Sequence, residues 1–111
     1  MKIEHFQFGR IIIDGKQYER DLIVLPHMIL ENWWRANGHI VTPKDAQEII
    51  SRKPEIVIFG LGTRSKMTVE TSVEDTLRSY GIICHMFDTN KAVHIYNAYG
   101  DRAIAALHLT C

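Results

Sequence analysis

The chain has 111 residues, of which 46% are apolar and 23% are charged, and these proportions are typical of one ordinary globular domain. Its 13 basic residues balance its 13 acidic residues, so no overall field would attract nucleic acid or an anionic membrane. No segment has the roughly 18 consecutive apolar residues of a membrane span, and the opening MKIEHFQFG lacks the apolar core of a secretion signal. We therefore expect one cytoplasmic domain, residues 1–111, with neither nucleic acid nor membrane as a partner.

The first third of the chain predicts an antiparallel hairpin. In the segment FGRIIIDGKQYERDLIVLP, Asp14 and Gly15 separate two apolar-rich runs and tolerate the positive φ of a two-residue turn. The second arm is expected to run on towards Leu25, where Pro26 ends it. The following segment, residues 27–40, has no clean hydrophobic period and is predicted to be mostly irregular.

The next segment predicts a helix that starts at Thr42, with Pro43 in its first turn. Glu48 and Arg52 are spaced to form an ion pair on its exposed side, and Pro54 prevents its continuation. A second helix is predicted from a capping box at Thr71 and Glu74, and Gly81 ends it. Its predicted apolar face consists of Val73, Leu77 and Tyr80.

A third helix is predicted over residues 89–99, ended by Gly100. Its apolar stripe consists of Ala92, Ile95, Tyr96 and Tyr99. Three apolar runs of strand length alternate with the helices and are predicted to be buried strands: residues 56–59, IICHMF and RAIAALHL. Strands that alternate with helices favour an α/β fold with a parallel sheet, and the hairpin adds an antiparallel part. The predicted sheet is therefore mixed.

A glycine-spaced loop follows the first of these strands. Four of its residues are candidate ligand contacts: Gly60, Gly62, Thr63 and Arg64. Asp88 follows the next strand, and ligands of open α/β sheets bind beyond the carboxyl ends of the strands. A dinucleotide fingerprint would need a third glycine or alanine where Ser65 stands. The loop is interpreted as a tight turn, as a site for a small anionic ligand or as an NAD site.

Histidine and cysteine spacing predicts neither a metal site nor a cofactor. The six histidines form no HExxH motif, and Cys84 and Cys111 form neither a CxxC pair nor a disulfide framework. His85, within an apolar run, is interpreted as a core or edge histidine or as a general base. Asn97 lies on the polar face of the third helix and is either solvated or a binding contact.

Trp33, Trp34 and Arg35 stand side by side in the irregular segment. Such a group packs in a core or anchors a partner protein, and aromatic side chains beside a cation also stack on bases. Because the chain has no excess of basic residues, a core role for at least one tryptophan and a partner or pocket contact for the other are the two interpretations retained.

Several short motifs together resemble those of the Mth-nine-three-eight-like domain family. They are WWRANGH, GLGT, DTNKAVHIYNAYGDR and HLTC, and the hairpin segment extends the resemblance over residues 8–111. Relatives in that family include a human adipogenesis-associated protein and a mitochondrial complex I assembly factor. The resemblance implies a three-layered α/β fold, with a mixed central sheet, flanking helices and a β layer. It also implies binding, in assembly or regulation, rather than catalysis. The matching positions are Trp34, Arg35, His39, Gly60, Gly62, Ala92, Tyr96, Asn97, His108, Thr110 and Cys111.

Three functional hypotheses follow. In the first, the glycine loop and the segment of Trp34, Arg35 and His39 form a pocket or partner surface, where loop N–H groups and Arg35 or Arg64 receive an anion. In the second, the chain is an enzyme in which His39 or His85 acts as acid or base near Asp88. In the third, the exposed edge of the hairpin pairs with a second copy in a homo-oligomer.

Overall fold

The computed structural model describes all residues, 1–111, as ten strands and three α-helices. The strands are β1 (Ile3–Gln7), β2 (Arg10–Ile13), β3 (Lys16–Tyr18), β4 (Leu22–Val24), β5 (Ile29–Leu30), β6 (Ile40–Val41), β7 (Ile56–Gly60), β8 (Thr68–Val69), β9 (Ile83–Phe87) and β10 (Ala103–Leu107). The helices are α1 (Gln47–Ser51), α2 (Thr71–Ser79) and α3 (Thr89–Tyr99), and a 3-10 turn spans Gly100–Arg102. None of the helices combines the length and the apolar character needed to span a membrane.

The central sheet has five strands in the order β5-β4-β10-β7-β9. Strands β10, β7 and β9 are parallel, while β4 pairs antiparallel with both β10 and β5. A separate antiparallel sheet has the order β1-β2-β3, and β6 pairs with β8 as a short parallel ladder. The predicted fold class, an α/β domain with a mixed central sheet, flanking helices and an N-terminal hairpin, is confirmed.

The central sheet separates two hydrophobic cores because successive side chains of a strand point to opposite faces. On β10, Ala103, Ala105 and Leu107 face the first core, which α3 and the β1-β2-β3 sheet complete. Ile104 and Ala106 face the second core, which contains buried side chains of α1 and α2. Three alanines in the middle strand leave room for helices on both faces. The domain is thus three-layered.

The predicted hairpin turn is confirmed, but its second arm ends earlier than expected. Asp14 and Gly15 have φ values of 48° and 80° and connect β2 to β3. The arm does not reach Leu25, because β3 ends at Tyr18 and the chain enters the central sheet as β4. Strand β1, which pairs with β2 and completes the outer sheet, was not predicted.

The first helix begins at Gln47, later than the predicted start. The preceding residues form a closed turn, because the Asp45 carboxylate accepts hydrogen bonds from both the N–H and the hydroxyl of Thr42, each at 2.9 Å. The expected pair on the exposed side is present, with Arg52 Nη2 2.9 Å from Glu48 Oε1. A five-residue helix depends on packing, and Ala46 and Ile49 supply it in the second core.

The second and third helices lie where the sequence predicted them. The predicted capping box at Thr71 and Glu74 is wrong, because the N-cap of α2 is Glu70. The Glu70 side chain makes no capping hydrogen bond. Tyr80 is also not on the apolar face, since 54% of it is exposed. In α3, Asp88 caps the helix by accepting a 3.0 Å hydrogen bond from the Lys91 N–H. The positive φ of Gly100 ends α3 as expected.

Strand β9 was predicted to be buried on both faces, and this prediction is wrong. It lies at the edge of the central sheet, and its residues are exposed or half-buried, whereas β7 and β10 are buried throughout. Apolar composition alone does not distinguish an edge strand from an inner strand when helices cover both faces.

Two buried side-chain atoms, Arg10 Nε and the hydroxyl oxygen of Tyr96, have no hydrogen-bond partner. The Tyr96 hydroxyl lies within the first core, and burial together with the carboxylates of Asp101 and Asp14 raises the pKa of Tyr96 to about 12, which keeps the hydroxyl neutral. We expect Tyr96→Phe to increase the free energy of unfolding by about 1 kcal/mol, because it removes a desolvated group that gains no bond. Urea unfolding measures this change.

The matched control is Tyr80→Phe, in which the hydroxyl belongs to an exposed ring. This variant should stay within about 0.5 kcal/mol of the parent protein. A loss of stability in Tyr96→Phe, beside an unchanged control, would show that the buried hydroxyl has a stabilising partner.

Candidate functional site

The Asp21 carboxylate joins three separate parts of the chain. Its Oδ2 lies 2.5 Å from Arg35 Nη2 and 2.7 Å from His108 Nδ1, and its Oδ1 accepts a 2.8 Å hydrogen bond from the Leu109 N–H. The Asp21 carbonyl accepts a further bond from the Trp33 N–H at 2.8 Å. Asp21 thus connects the start of β4 to the irregular segment and to the segment after β10. We call Asp21, Arg35 and His108 the carboxylate clamp.

Arg35 is buried, and its guanidinium donates hydrogen bonds to other groups of the domain. Besides Asp21, this group donates to the Gly38 carbonyl from Nη2 at 2.8 Å and to the Trp33 carbonyl from Nη1 at 3.3 Å. Its carbon lies 4.5 Å from the centre of the Trp33 ring, which is a cation–π contact. Arg35 was a candidate for receiving an anionic ligand, but the anion that it binds is Asp21.

His108 follows β10 and is also buried. Since its Nδ1 faces the Asp21 carboxylate, Nε2 points away from it, 3.5 Å from the Thr110 hydroxyl. The exposed His39 ring meets His108 edge to face, with centres 5.5 Å apart. An aspartate–histidine pair is the arrangement of a general base, yet none of the surface depressions of the molecule is lined by His108. Asp21, but not His108, borders an open depression, and the pair joins the start of β4 to the segment after β10.

The hydrogen bonds to Asp21 also set its charge state. Burial alone would raise the pKa of this carboxyl, but the hydrogen bonds from His108, Arg35 and the Leu109 N–H outweigh burial and lower the pKa below its ordinary value. Asp21 is therefore ionised near neutral pH, and the positive guanidinium of Arg35 compensates its charge.

The glycine loop lies beside Asp88, and its N–H groups are bound by the chain itself. The N–H groups of Gly62, Thr63 and Lys66 donate to Thr89 Oγ1, the Thr110 carbonyl and the Cys111 carbonyl, at 2.8, 2.7 and 2.9 Å. Arg64 also donates its N–H to the Cys111 carbonyl. The expectation that loop N–H groups receive an anion is therefore not supported, because Thr89 Oγ1 and the carbonyls of Thr110 and Cys111 already accept from them.

The two glycines allow this close contact. A side chain on Gly62, whose φ is 101°, would place its Cβ 2.2 Å from the Cys111 carbonyl carbon. A Cβ on Gly60 would lie 2.8 Å from Leu107 Cδ2 and 3.0 Å from Thr89 Oγ1. Of the alternatives for this loop, the tight turn agrees with the structure. The glycines serve the packing of the loop against residues 107–111.

Trp33 and Trp34 have opposite environments. Trp33 is buried in the second core and donates from Nε1 to the Asp45 carbonyl at 3.1 Å. Trp34 is 78% exposed and borders an open depression of about 620 Å³. Arg20, Asp21 and Asn32 line the depression together with the two tryptophans. We call this depression the Trp34 surface.

The remaining candidate residues lie apart from the Trp34 surface. Asp88 caps α3, and neither His39 nor His85 forms a hydrogen bond with it. His85 stacks on Phe87 and Tyr99. The Asn97 amide binds both the N–H and the carbonyl of Ile3, at 3.0 and 2.7 Å, and so fixes β1 to α3. No group of three or more His, Cys, Asp or Glu side chains is placed to hold a metal ion.

Sequence reasoning missed Asp21 and the role of Thr89. The Thr89 hydroxyl is buried, accepts the Gly62 N–H and donates to the His108 carbonyl at 2.6 Å. Asp21 lies within the predicted second arm of the hairpin, where a carboxylate is usually interpreted as an exposed residue. The only available signal was that an aspartate and a histidine flank apolar runs, and no local pattern says that these two residues meet across 87 positions.

Comparison with known proteins places this architecture in a family. Residues 3–108 match the DUF498/DUF598 family, whose description is a protein of unknown function. The chain belongs to the DUF498/DUF598 family. The match includes all three members of the carboxylate clamp and the Trp34 surface.

Solved structures share the fold of this DUF498/DUF598 domain. A conserved hypothetical protein from Pyrococcus horikoshii superposes with a TM-score of 0.84 at 21% identity, covering 100% of both chains. The protein MT938 has a TM-score of 0.80 at 22% identity, covering 99% of this chain and 98% of that one. A Mth938-like domain from Bordetella pertussis has a TM-score of 0.70 at 16% identity, covering 97% and 85%. The resemblance predicted from the motifs is confirmed, and at these identities it shows the fold alone.

Gly62→Ala tests the packing of the loop in this DUF498/DUF598 domain. We expect it to lower the free energy of unfolding by roughly 3 kcal/mol, since overpacking and an unfavourable positive φ act together. Gly81→Ala is the matched control, because Gly81 has a φ of 74° but no atom within 4 Å of the added Cβ. The control should lose only about 1 kcal/mol. Equal losses in both variants, measured by urea unfolding, would mean that the contact with Cys111 is unimportant.

Asp21→Asn tests the carboxylate clamp. Breaking a buried ion pair from one side leaves Arg35 uncompensated, so we expect a loss of roughly 3 kcal/mol near neutral pH. The pKa of Asp21 is lowered in the folded protein, so its contribution is fully present above the unfolded-state pKa of about 4 and is lost as the pH falls through the folded-state value. The stability difference between the parent and the variant should therefore shrink on acidification.

The control for this experiment is Asp75→Asn, since the Asp75–Arg78 pair is exposed, with a separation of 3.4 Å. Exposed pairs contribute about 0–1 kcal/mol, so this variant should follow the parent protein at every pH. If Asp21→Asn also followed the parent from neutral to acidic pH, the clamp would contribute nothing to stability.

Proposed function

We propose that this domain binds a partner protein, with Trp34 as the side chain that anchors it. The observation that carries the proposal is the 78% exposure of this tryptophan on an otherwise ordered surface. A tryptophan ring that moves from water into a protein interface gains on the order of 3–4 kcal/mol from its apolar area. Tryptophan is also among the residues most enriched where interfaces bind most strongly.

The backbone on both sides of Trp34 is already fixed. On one side, Trp33 is held by its buried ring and by the hydrogen bond from its N–H to the Asp21 carbonyl. On the other side, Arg35 is held by the carboxylate clamp and by the Gly38 carbonyl. The Trp34 ring is therefore already held in position, and binding of a partner would not need to order a loop. This lowers the entropic cost of association.

The polar groups around the ring indicate the chemistry of the partner. Arg20 is exposed and forms no ion pair or side-chain hydrogen bond within the domain, and Asn32 offers an amide beside it. A partner segment that places an apolar side chain against Trp34 and a carboxylate against Arg20 would satisfy both groups. The proposed partner is thus a protein segment with adjacent apolar and acidic side chains.

A small anionic ligand is the weaker alternative for this domain. Arg35 is neutralised by Asp21, and the loop N–H groups are bound by Thr89, Thr110 and Cys111. Arg64 is exposed outside the depression. The resemblance to a family in which some relatives have roles in assembly or regulation also supports binding of a protein. A histidine enzyme has less support, because neither His39 nor His85 forms a hydrogen bond with Asp88.

The proposal is tested with Trp34→Ala. The parent domain is used to capture partners from extract of the native organism, the captured protein is purified, and direct binding is measured by calorimetry. We expect Trp34→Ala to weaken this binding roughly 30-fold or more, about 2 kcal/mol, with the free energy of unfolding unchanged. Arg20→Gln should lower the association rate and its dependence on salt.

Phe8→Ala is the matched control, because Phe8 is a second exposed aromatic residue, 58% accessible, outside the Trp34 surface. It should bind the partner as the parent does. Equal binding by the parent and Trp34→Ala would refute the proposal. A thermal shift of the parent with inorganic phosphate, nucleotides or small carboxylates, abolished by Arg64→Gln, would favour the small-anion alternative instead.

A further inference from the structure

The edges of the sheets differ in how they are protected. The edge of β1 is closed at Ile3 by the Asn97 amide, which binds both backbone groups of that residue. Strand β3 has only three residues, and its Lys16 lies 3.9 Å from Glu31. Strands β5, β6 and β8 have two residues each. Strand β9 has five residues, as many as β1, but no side chain closes its edge in the way that Asn97 closes β1.

The hydrogen bonds of β9 show which of its groups are free. The Ile83 N–H donates to the Glu55 carbonyl, and the Phe87 carbonyl accepts from the Leu61 N–H, so residues 83 and 87 face β7. In a parallel ladder, residues that face one neighbour alternate with residues that face the other side. The N–H and carbonyl groups of Cys84 and Met86 therefore point to the open edge of the sheet.

Proteins usually block such an edge with charged side chains, proline or a bulge. The sequence of β9, Ile-Cys-His-Met-Phe, contains no lysine, acidic residue or proline, and its pairing with β7 is regular. Burial, with the nearby Glu74 carboxylate, raises the pKa of the Cys84 thiol to about 11, so this side chain is also neutral. Ile83, half exposed, and Tyr80 add apolar surface at the same edge.

We propose that β9 pairs antiparallel with β9 of a second copy of this chain, about a two-fold axis that passes beside His85. Residue 84 of each copy then lies opposite residue 86 of the other, and these residues exchange backbone hydrogen bonds on both sides of the axis. His85 lies opposite its own counterpart as a non-hydrogen-bonded pair. Ile83 lies opposite Phe87 of the other copy, which gives an apolar cross-strand pair at each end.

A second copy suits this edge because the edge is self-complementary. It offers donors and acceptors in equal number, and β9 itself contains no lysine, arginine or carboxylate. The charges near it are of both signs: Glu74 and Arg78 lie near Cys84, and Lys91 Nζ lies 4.6 Å from the centre of the Phe87 ring. The net charge of the chain is zero, so no overall charge repels a second copy. Both faces of β9 are partly covered, since Cys84 and Met86 pack on the second core and Phe87 on the first. Pairing thus extends the central sheet from five strands to ten without exposing a new face.

This inference does not depend on the proposed function. Strands β4, β10 and β7 lie between β5 and β9, and the residues of the Trp34 surface directly precede β4 or follow β5. The Trp34 surface therefore stays free when β9 pairs, and the dimer presents it twice. Failure of partner binding would leave the dimer intact, and a monomer could still bind through Trp34.

Sedimentation equilibrium of the full chain over a wide concentration range, together with hydrogen exchange, tests the proposal. We expect a monomer–dimer equilibrium. The amides of Cys84 and Met86 should become protected as concentration rises, while those of Ile83, His85 and Phe87 are protected at every concentration. A chain that remains monomeric up to millimolar concentration, or a dimer in which the Cys84 and Met86 amides exchange as in the monomer, would overturn the proposal.

The register is tested with opposite charges at the two-fold axis. His85→Lys and His85→Glu should each weaken dimerisation on the order of tenfold, because like charges then lie directly opposite each other, and an equimolar mixture should form a heterodimer. Ile83→Lys, at an exposed side chain, should also weaken the dimer if the His85 variants do not fold. The matched control, Phe8→Lys, should dimerise as the parent does. A dimer weakened by Phe8→Lys but not by Ile83→Lys would place the contact elsewhere.

Discussion

The organisation of this domain depends on a single half-buried carboxylate. Asp21 holds the guanidinium of Arg35 in the irregular segment, and the imidazole of His108 and the N–H of Leu109 in the segment after β10. Breaking such a pair typically costs roughly 3–5 kcal/mol, against a total stability of about 5–15 kcal/mol for a domain of this kind. Removing the ions from water offsets much of their attraction. The clamp therefore specifies where the segments lie more than it adds net stability.

The clamp also connects the loop to the presented tryptophan. From His108 the chain of contacts continues through the Thr89 hydroxyl to Gly62, and from Arg35 it continues to Trp33. The glycine loop and the irregular segment are therefore two ends of one hydrogen-bonded structure. The polar residues that first suggest a ligand site hold the scaffold, while Trp34, the proposed binding residue, stays exposed.

The sequence predicted the elements well where their signals are local. The turn at Asp14 and Gly15, the span of α3 and its end at Gly100 depend on neighbouring residues, and all three are present. The edge position of β9 and the clamp between Asp21 and His108 depend on residues far apart in sequence, which periodicity does not report. For the candidate site, a glycine pattern shows that something approaches the main chain closely. It does not show whether that neighbour is a ligand or, as here, the chain's own Cys111.

The position of β10 has a consequence for folding. This strand comes last of the ten in sequence but lies in the middle of the central sheet, with β4 on one side and β7 on the other. Its pairing with β4 joins residues near opposite ends of the sequence, so the contact order is high, and loop closure must precede most of the stabilising contacts. Without β10, the β5-β4 pair and the β7-β9 pair share no backbone hydrogen bonds. Partly folded structures therefore gain little stabilising free energy. Folding is therefore expected to be slow for a chain of this size and strongly cooperative.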